Sequence, residues 1–482
     1  MNAQELALIA EGKAWTFAAL RAEARRLAQQ LAAFGVRAGD RVGMLLPNTP
    51  QAVFLIHAVH QLGAVLVPLN VRLTVAELKQ QVRRVALRCL VHDATTALQA
   101  AALAPEAPLL DLSTADAPRP ADLSDLPTSA YLHTLVFTSG TTGTPKAAML
   151  TWGNHVWSAI ASGWRLGVQR DDRWLLCLPL YHVGGLAVVL RAALYGIPIV
   201  LHARFDAEAV LASLARDRAT LISLVPTMLK RLLDANGDRP LPEHVRLVLL
   251  GGAATPAPLL ERALAARVPV ALTYGLTEAA SQVATATPEQ VRAAPGSVGH
   301  PLRSVRVRVA DEHGEAVPTG AIGELWVRGP VVMRGYWGDA EATARALTPQ
   351  GWLRTGDLGY FDEAGRLWVV QRRTDLILSG GENVYPAEVE AVLLRHPAVE
   401  AACVVGVEDA EWGQRVVALV QRAPHAQVEV GVLQAFCREH LAGYKCPRAI
   451  WFVDALPLTA SGKVDRKAAQ AWAAQRVVEQ GA

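Results

Sequence analysis

Apolar residues recur at helical spacing from Phe17 to Phe34, with Arg21, Arg25 and Arg26 interleaved, and this predicts an amphipathic helix with one solvated face. An apolar run from Val42 to Leu46 ends in the turn Pro47-Asn48. It is followed by a helix-like stretch from Gln51 to Leu62, a run from Ala64 to Pro68 and a second helix-like stretch from Ala76 to Val85. Short apolar runs alternating with helical segments predict stacked βα units and a largely parallel sheet. Residues 104 to 129 break the rhythm with Pro105, Pro108, Pro118, Pro120 and Pro127, and read as a surface connection. The α/β rhythm then resumes through residue 280. From Val298 to Val370 the pattern shortens to alternating strands with turns at Glu312-His313-Gly314, Thr319-Gly320 and Glu363-Ala364-Gly365, an antiparallel signature. Beyond residue 373 the tail predicts a helix from Pro386 to Leu394, strands at Ala401 to Val407 and Val416 to Gln421, a helix from Val430 to Leu441 and a strand from Ala449 to Val453. That suffices for a small α+β domain. The fold class is therefore α/β: a large N-terminal domain of stacked βα sheets with a β-rich portion, followed by a smaller α+β domain.

Composition narrows the function classes. The chain has 482 residues, 51% of them hydrophobic, so core material is ample and more than one core is expected. The 47 Lys+Arg nearly cancel the 44 Asp+Glu, which argues against a broad electrostatic footprint for nucleic acid or an anionic membrane. The five cysteines are scattered and form no C-x-x-C pair, as expected in a reducing compartment. The first twelve residues show no signal-peptide pattern, and the most apolar stretch, Leu175 to Leu190, is too short to span a bilayer. A soluble, cytoplasmic setting is expected. Lysine is scarce: only residues 13, 79, 146, 230, 445, 463 and 467.

Chemistry is concentrated in a few segments. Thr138-Ser139-Gly140-Thr141-Thr142-Gly143-Thr144-Pro145-Lys146 follows the apolar run Tyr131 to Phe137. Its two glycines, five hydroxyls and terminal lysine suit a polyphosphate cradle. The spacing of Gly143 and Lys146 is not that of a Walker A loop. Thr273-Tyr274-Gly275-Leu276-Thr277-Glu278 follows the run Val268 to Leu272, at a strand end where open α/β sheets collect ligands. Tyr274 suits a base, Thr277 a phosphate and Glu278 a hard cation such as Mg²⁺. The bland alternatives are core lining for Tyr274 and a helix N-terminal charge for Glu278. Arg354-Thr355-Gly356-Asp357 and Arg372-Arg373-Thr374-Asp375 carry Asp and Arg groups suited to ribose or phosphate. Leu458-Thr459-Ala460-Ser461-Gly462-Lys463 reads as an exposed loop of the small domain.

In this order and spacing, T-S-G-T-T-G-x-P-K, Y-G-x-T-E, R-T-G-D, the run from Arg372 to Glu390 and the terminal S-G-K resemble the adenylate-forming enzymes: acyl-CoA synthetases, adenylation domains and luciferases. The resemblance covers nearly the whole chain. It implies a two-step reaction in which a carboxylate attacks the α-phosphate of ATP, and a thiol, usually of CoA, then displaces AMP. It implies a large domain at 1–372 and a mobile lid domain at 373–482, with a hinge at Arg373, Thr374 and Asp375. On this sequence it assigns Thr138, Ser139, Gly140, Thr141, Thr142, Gly143 and Lys146 to the ATP phosphates. Gly251, Gly252, Ala253, Thr273, Tyr274 and Gly275 form the adenine and acyl-adenylate wall, with Gly252 also facing the acyl group. Thr277 meets the α-phosphate, Glu278 the Mg²⁺, and Asp357 and Arg372 the ribose. Lys463 is the catalytic lysine, His182 an acyl-pocket gate, and Gly380 and Gly381 line the pantetheine passage. Lys445 stands at the CoA phosphate or, equally, on a solvated surface. Gln371, Ala147 and Thr374 depart from common family residues and bear on the hinge and on rate.

The segments Thr151-Trp152-Gly153-Asn154-His155, Cys177 to His182, Leu201 to Phe205 and the pair Ser281-Gln282 resemble the o-succinylbenzoate–CoA ligase branch of menaquinone biosynthesis. That resemblance implies an aromatic keto-dicarboxylate whose second carboxylate is recognised near Ser281. The competing expectations are a synthetase for another aryl or medium-chain acid and a catalytically silent nucleotide or acyl-adenylate binder. The expected partners are a carboxylic acid, ATP and CoA, with no nucleic acid and no membrane; a homodimer is compatible with these features.

Overall fold

A computed structural model describes residues 4–112, 128–138, 145–253, 255, 257–371, 377–457 and 464–480. The chain divides into two compact units. One comprises Met1–Val71, Val82–Phe137 and Ala147–Gln371; the other comprises Arg72–Gln81, Thr138–Lys146 and Arg372–Ala482.

The first unit holds three sheets. In a six-stranded sheet the neighbours run Leu109–Asp111, Cys89–His92, Arg41–Leu45, Val65–Pro68, Leu132–Thr138 and Lys146–Thr151. The first five of these strands pair in parallel. A nine-stranded sheet runs His300–Pro301, Ser281–Ala286, Val270–Leu276, Leu247–Leu250, Leu221–Leu224, Trp174–Leu176, Ile199–Leu201, Leu6–Ala10 and Lys13–Thr16. Its six central strands are joined in parallel, and both ends turn antiparallel. Strands covered on both faces read as unbroken apolar runs, which is why Leu247-Val248-Leu249-Leu250 is buried throughout. The third sheet, Arg306–Ala310, Gly323–Arg328, Leu353–Phe361 and Leu367–Gln371, is antiparallel, as the shortened alternation predicts.

Helix starts follow side-chain capping. Thr16 accepts the Ala19 N–H at the head of Phe17–Ala33. Thr151 and Asn154 form a reciprocal capping box at the head of Trp152–Leu166. The Asn154 amide also donates to the carbonyls of Pro330 and Val332, at 2.7 and 2.9 Å.

Several elements differ from expectation. The strands Leu6–Ala10 and Lys13–Thr16 form a hairpin in a segment with no predicted structure. The strand Leu109–Asp111 lies within the region read as irregular connection. The chain ends in the helix Arg466–Gln480, whose inward residues Ala469 and Ala473 carry little hydrophobic signal. In the second unit the long hairpin Val399–Asp409 and Gly413–Arg422 pairs with Ile377–Ser379 and, in parallel, with Ala449–Phe452. Among the described residues no helix is long and apolar enough to cross a membrane.

Candidate active site

In the first unit the parallel strands of the nine-stranded sheet end in a platform of glycines. Gly251 donates its N–H to the Leu224 carbonyl at 3.2 Å, and a Cβ there would lie 2.6 Å from Thr273 Cγ2. A Cβ on Gly275 would lie 1.8 Å from the Ser281 carbonyl oxygen, so the tight reversal into Ser281–Ala286 admits only glycine. The Thr273 hydroxyl bonds Ala284 O and Thr285 Oγ1, and the Gln282 amide donates to Thr273 Oγ1 and Thr285 Oγ1. This buried network sets the register of the reversal.

Tyr274, 5% exposed, donates its hydroxyl to Asp357 Oδ2 at 2.6 Å. Two residues assigned to the nucleotide from separate motifs are thus directly bonded. Asp357 lies in Leu353–Phe361 and is positioned by local bonds. Its N–H donates to Thr355 Oγ1, the Thr355 hydroxyl donates to Leu325 O, and the Gly356 N–H donates to Glu324 Oε1.

Thr277 and Glu278 lie on a single 3₁₀ turn, Thr277–Ala279. Glu278 Oε1 accepts the Tyr336 hydroxyl at 2.8 Å, and the Glu278 carbonyl accepts the Met333 N–H. Immediately after, Ala280 and Ser281 both hold positive φ, 50° and 100°. Consecutive non-glycine residues there store strain that the surroundings must sustain. One restraint is visible: the Ser158 hydroxyl donates to the Ala280 carbonyl at 2.7 Å, and Arg191 Nη2 donates to Ser158 Oγ at 3.0 Å. Arg191 is 2% exposed, forms no ion pair among the described residues, and its Nε has no hydrogen-bond partner. A single arginine inside the otherwise apolar helix Val183–Tyr195 was the signal available in the sequence.

His182 caps the N-terminus of that same helix, with the Tyr181 ring 4.8 Å away. Thr138 and Lys146 end and begin the strands Leu132–Thr138 and Lys146–Thr151, both half-buried; Ser139, Gly140, Thr141, Thr142 and Gly143 between them lie outside the described residues. Arg372, Arg373, Thr374, Asp375 and Lys463 lie outside them as well.

Four histidines cluster beside the strand Leu132–Thr138. His57 and His60 come from the helix Pro50–Gln61, His133 from Leu132–Thr138 and His155 from Trp152–Leu166. The His133 ring lies 5.5 Å from His60 and 5.1 Å from both Trp152 and His155. His60 Nδ1 bonds the Tyr131 hydroxyl at 2.6 Å and His155 Nε2 the Thr134 hydroxyl at 2.9 Å, while neither His133 nitrogen has a partner. Burial pushes His57 and His60 down to about 4 and His155 to about 3, and holds His133 well below the usual imidazole range. All four rings are neutral at pH 7.

In the second unit Gly380 and Gly381, at φ 60° and 82°, turn the two-residue hairpin between Ile377–Ser379 and Glu382–Val384. A Cβ on Gly380 would lie 2.7 Å from Trp412 Cε3, so an indole fills the space above this glycine. Lys445 corrects an expectation: it is 5% exposed, and its ammonium donates to Glu77 Oε1 and Glu388 Oε1, each at 2.7 Å. The solvated-surface reading fails, and a phosphate contact would require the ammonium to leave two carboxylates. Burial pushes Glu388 up against the pull of Lys445. Burial alone would lower Lys445, but Glu388 and Glu77 raise it.

Residues 1–337 match the model of the AMP-binding enzyme family, and residues 388–463 match that of the AMP-binding enzyme C-terminal domain. The chain belongs to the AMP-binding enzyme family. It is 43% identical over 454 residues to the 2-succinylbenzoate–CoA ligase of Geobacillus kaustophilus, covering 94% of this chain and 92% of that one. Among solved structures it resembles the o-succinylbenzoate CoA synthetase of Bacillus subtilis. A double mutant of that enzyme bound to a product analogue gives a TM-score of 0.91 at 40% identity, covering 96% of this chain and 95% of the other. The complex of the same enzyme with its acyl-adenylate intermediate gives 0.75 at 40% identity, over 97% and 95%.

Proposed function

We propose that the protein is an AMP-forming acid–thiol ligase that joins 2-succinylbenzoate to CoA. In the first half-reaction an oxygen of the succinyl carboxylate forms a bond to the α-phosphorus of ATP as the bond to the β-phosphate breaks, releasing pyrophosphate. In the second, the CoA sulfur bonds the acyl carbon, the thiol proton is lost, and AMP departs with the oxygen that came from the acid.

The platform supports this reading. Tyr274 and Asp357 form one preassembled, hydrogen-bonded unit, which suits a ribose contact by the carboxylate. Thr277 and Glu278 share one turn, which suits an α-phosphate contact beside a cation. Mg²⁺ fits Glu278. No group of three or more His, Cys, Asp or Glu among the described residues forms a metal cage, and Mg²⁺ is characteristically held by one or two carboxylates together with substrate phosphates. When bound, it supplies charge neutralisation to the phosphates. Lys146 and the loop before it serve the β- and γ-phosphates, and Lys463 donates to the developing charge during adenylation.

The observation that carries the substrate assignment is Arg191. A buried guanidinium with no carboxylate partner among the described residues is costly to keep, and here it is tied through Ser158 to the carbonyl that precedes Ser281. A second carboxylate on the substrate supplies the missing counter-charge.

The test is to incubate the protein with ATP, Mg²⁺, CoA and a panel of acids that includes 2-succinylbenzoate, benzoate, succinate and decanoate, and to identify products by mass spectrometry. AMP with 2-succinylbenzoyl-CoA as the preferred product supports the assignment. Preference for another acid would leave the ligase and remove the substrate; ADP or no turnover would remove the ligase.

A further inference from the structure

Asn48 follows the strand Arg41–Leu45 of the six-stranded sheet, in the turn before the helix Pro50–Gln61. Its side chain is 6% exposed and fully engaged with the other sheet. Nδ2 donates to the Leu178 carbonyl at 2.9 Å and to the His202 carbonyl at 3.3 Å, and Oδ1 accepts the Leu180 N–H at 3.0 Å. The two carbonyls and the N–H fix which end of the amide points where. Leu178 and Leu180 belong to the turn leaving Trp174–Leu176, and His202 follows the neighbouring strand Ile199–Leu201.

The turn from Leu178 to His182 is held from its other side as well. The His182 N–H donates to the Pro179 carbonyl at 3.2 Å, and the His182 carbonyl accepts the Leu186 N–H at 3.0 Å, opening the helix. Gly185 lies so close that a Cβ would come within 2.2 Å of the Pro179 oxygen. Asn48 thus grips two peptide groups of a five-residue turn whose last residue is His182.

We propose that Asn48 is a positioning residue for the acid substrate: by clamping Leu178 and Leu180 it sets where His182 stands at the acyl pocket. This rests on the family resemblance that places His182 at the acyl pocket. Asn48 touches no reacting atom and acts through the turn.

Steady-state constants of the full-length enzyme, the variants Asn48→Ala and His182→Ala, and the double variant test it, with thermal unfolding recorded alongside. Asn48→Ala raises KM for the acid by roughly tenfold and leaves KM for ATP and CoA within about twofold, because a displaced gate misplaces one substrate only. The double variant is no worse than His182→Ala alone, because Asn48 acts through that ring. Additive losses, or KM for ATP rising in step with KM for the acid, would show a general structural role and overturn the inference. An unchanged KM for the acid in His182→Ala would sink the placement of His182 and this inference with it. A normal His182→Ala response beside an unaffected Asn48→Ala sinks this inference alone. If Asn48→Ala does not fold, Asn48→Ser, which keeps a small polar group at the site, carries the same cycle.

Discussion

Acid should unfold the first unit from its histidine cluster. His133 and His155 are 0% and 3% exposed, and both are held neutral by burial. In the unfolded chain each titrates near its ordinary value of about 6.5. Their folded values are depressed, so the stability they permit is fully present above pH 6.5 and is lost as pH falls below it toward the folded values. Each ring then costs about 1.4 kcal/mol per pH unit. At pH 5 that amounts to about 2 kcal/mol per ring, so the pair removes about 4 kcal/mol, a large share of the 5–15 kcal/mol typical of a domain. His57 and His60, held near 4, add a comparable amount by the same arithmetic, reduced to the extent that their exposed edges stay hydrated. Trp152, 4.2 Å from His60 and 5.1 Å from His133, reports on the cluster by fluorescence. Urea midpoints measured between pH 7 and 5 should fall steeply before most carboxylates titrate. His133→Leu should lessen the slope by about one proton and, by removing two unpartnered ring nitrogens, should not lower stability at pH 7. A flat profile across this range, or an unchanged slope in His133→Leu, would refute the reasoning. Because His133 lies on the strand leading to Thr138, adenylation activity should fall over the same range.

Arg191→Leu should raise KM for 2-succinylbenzoate by roughly a hundredfold while sparing 4-oxo-4-phenylbutanoate, which lacks the ring carboxylate; steady-state kinetics on both acids checks this. Lys445→Ala should cost about 3–5 kcal/mol in chemical denaturation, because it strands Glu77 and Glu388 in a buried site; a change in KM for CoA with intact stability would instead restore the phosphate contact. Lys463→Ala should slow adenylate formation by about 10²–10³ while largely sparing thioester formation from preformed adenylate; equal loss in both half-reactions, followed by rapid quench, would contradict its assigned role.

What was legible in the sequence was local. The strand-end segment from Thr273 to Glu278 and the hydroxyl-rich loop after Phe137 announce themselves because their residues act as contiguous stretches, and the alternation of apolar runs exposes the parallel sheets. The contacts that complete the site cross the chain. Tyr274 meets Asp357 across 83 positions, and Asn48 reaches Leu178 across 130; no spacing rule pairs them. The solvated-surface reading of Lys445 failed for the same reason, since a lone lysine defaults to solvent and its two acids lie 57 and 368 positions away. The histidines looked unremarkable one at a time. The terminal helix escaped because alanines such as Ala469 and Ala473 bury without an apolar stripe.

Transfer of oxygen from acid to nucleotide tests the central claim most directly. 2-Succinylbenzoate labelled with oxygen-18 in the succinyl carboxylate is turned over with ATP, Mg²⁺ and CoA, and the AMP is weighed by mass spectrometry. Attack of that carboxylate on the α-phosphate predicts one labelled oxygen in each AMP, together with 2-succinylbenzoyl-CoA. Unlabelled AMP, or label appearing in inorganic phosphate with ADP as the nucleotide product, would contradict an acyl-adenylate.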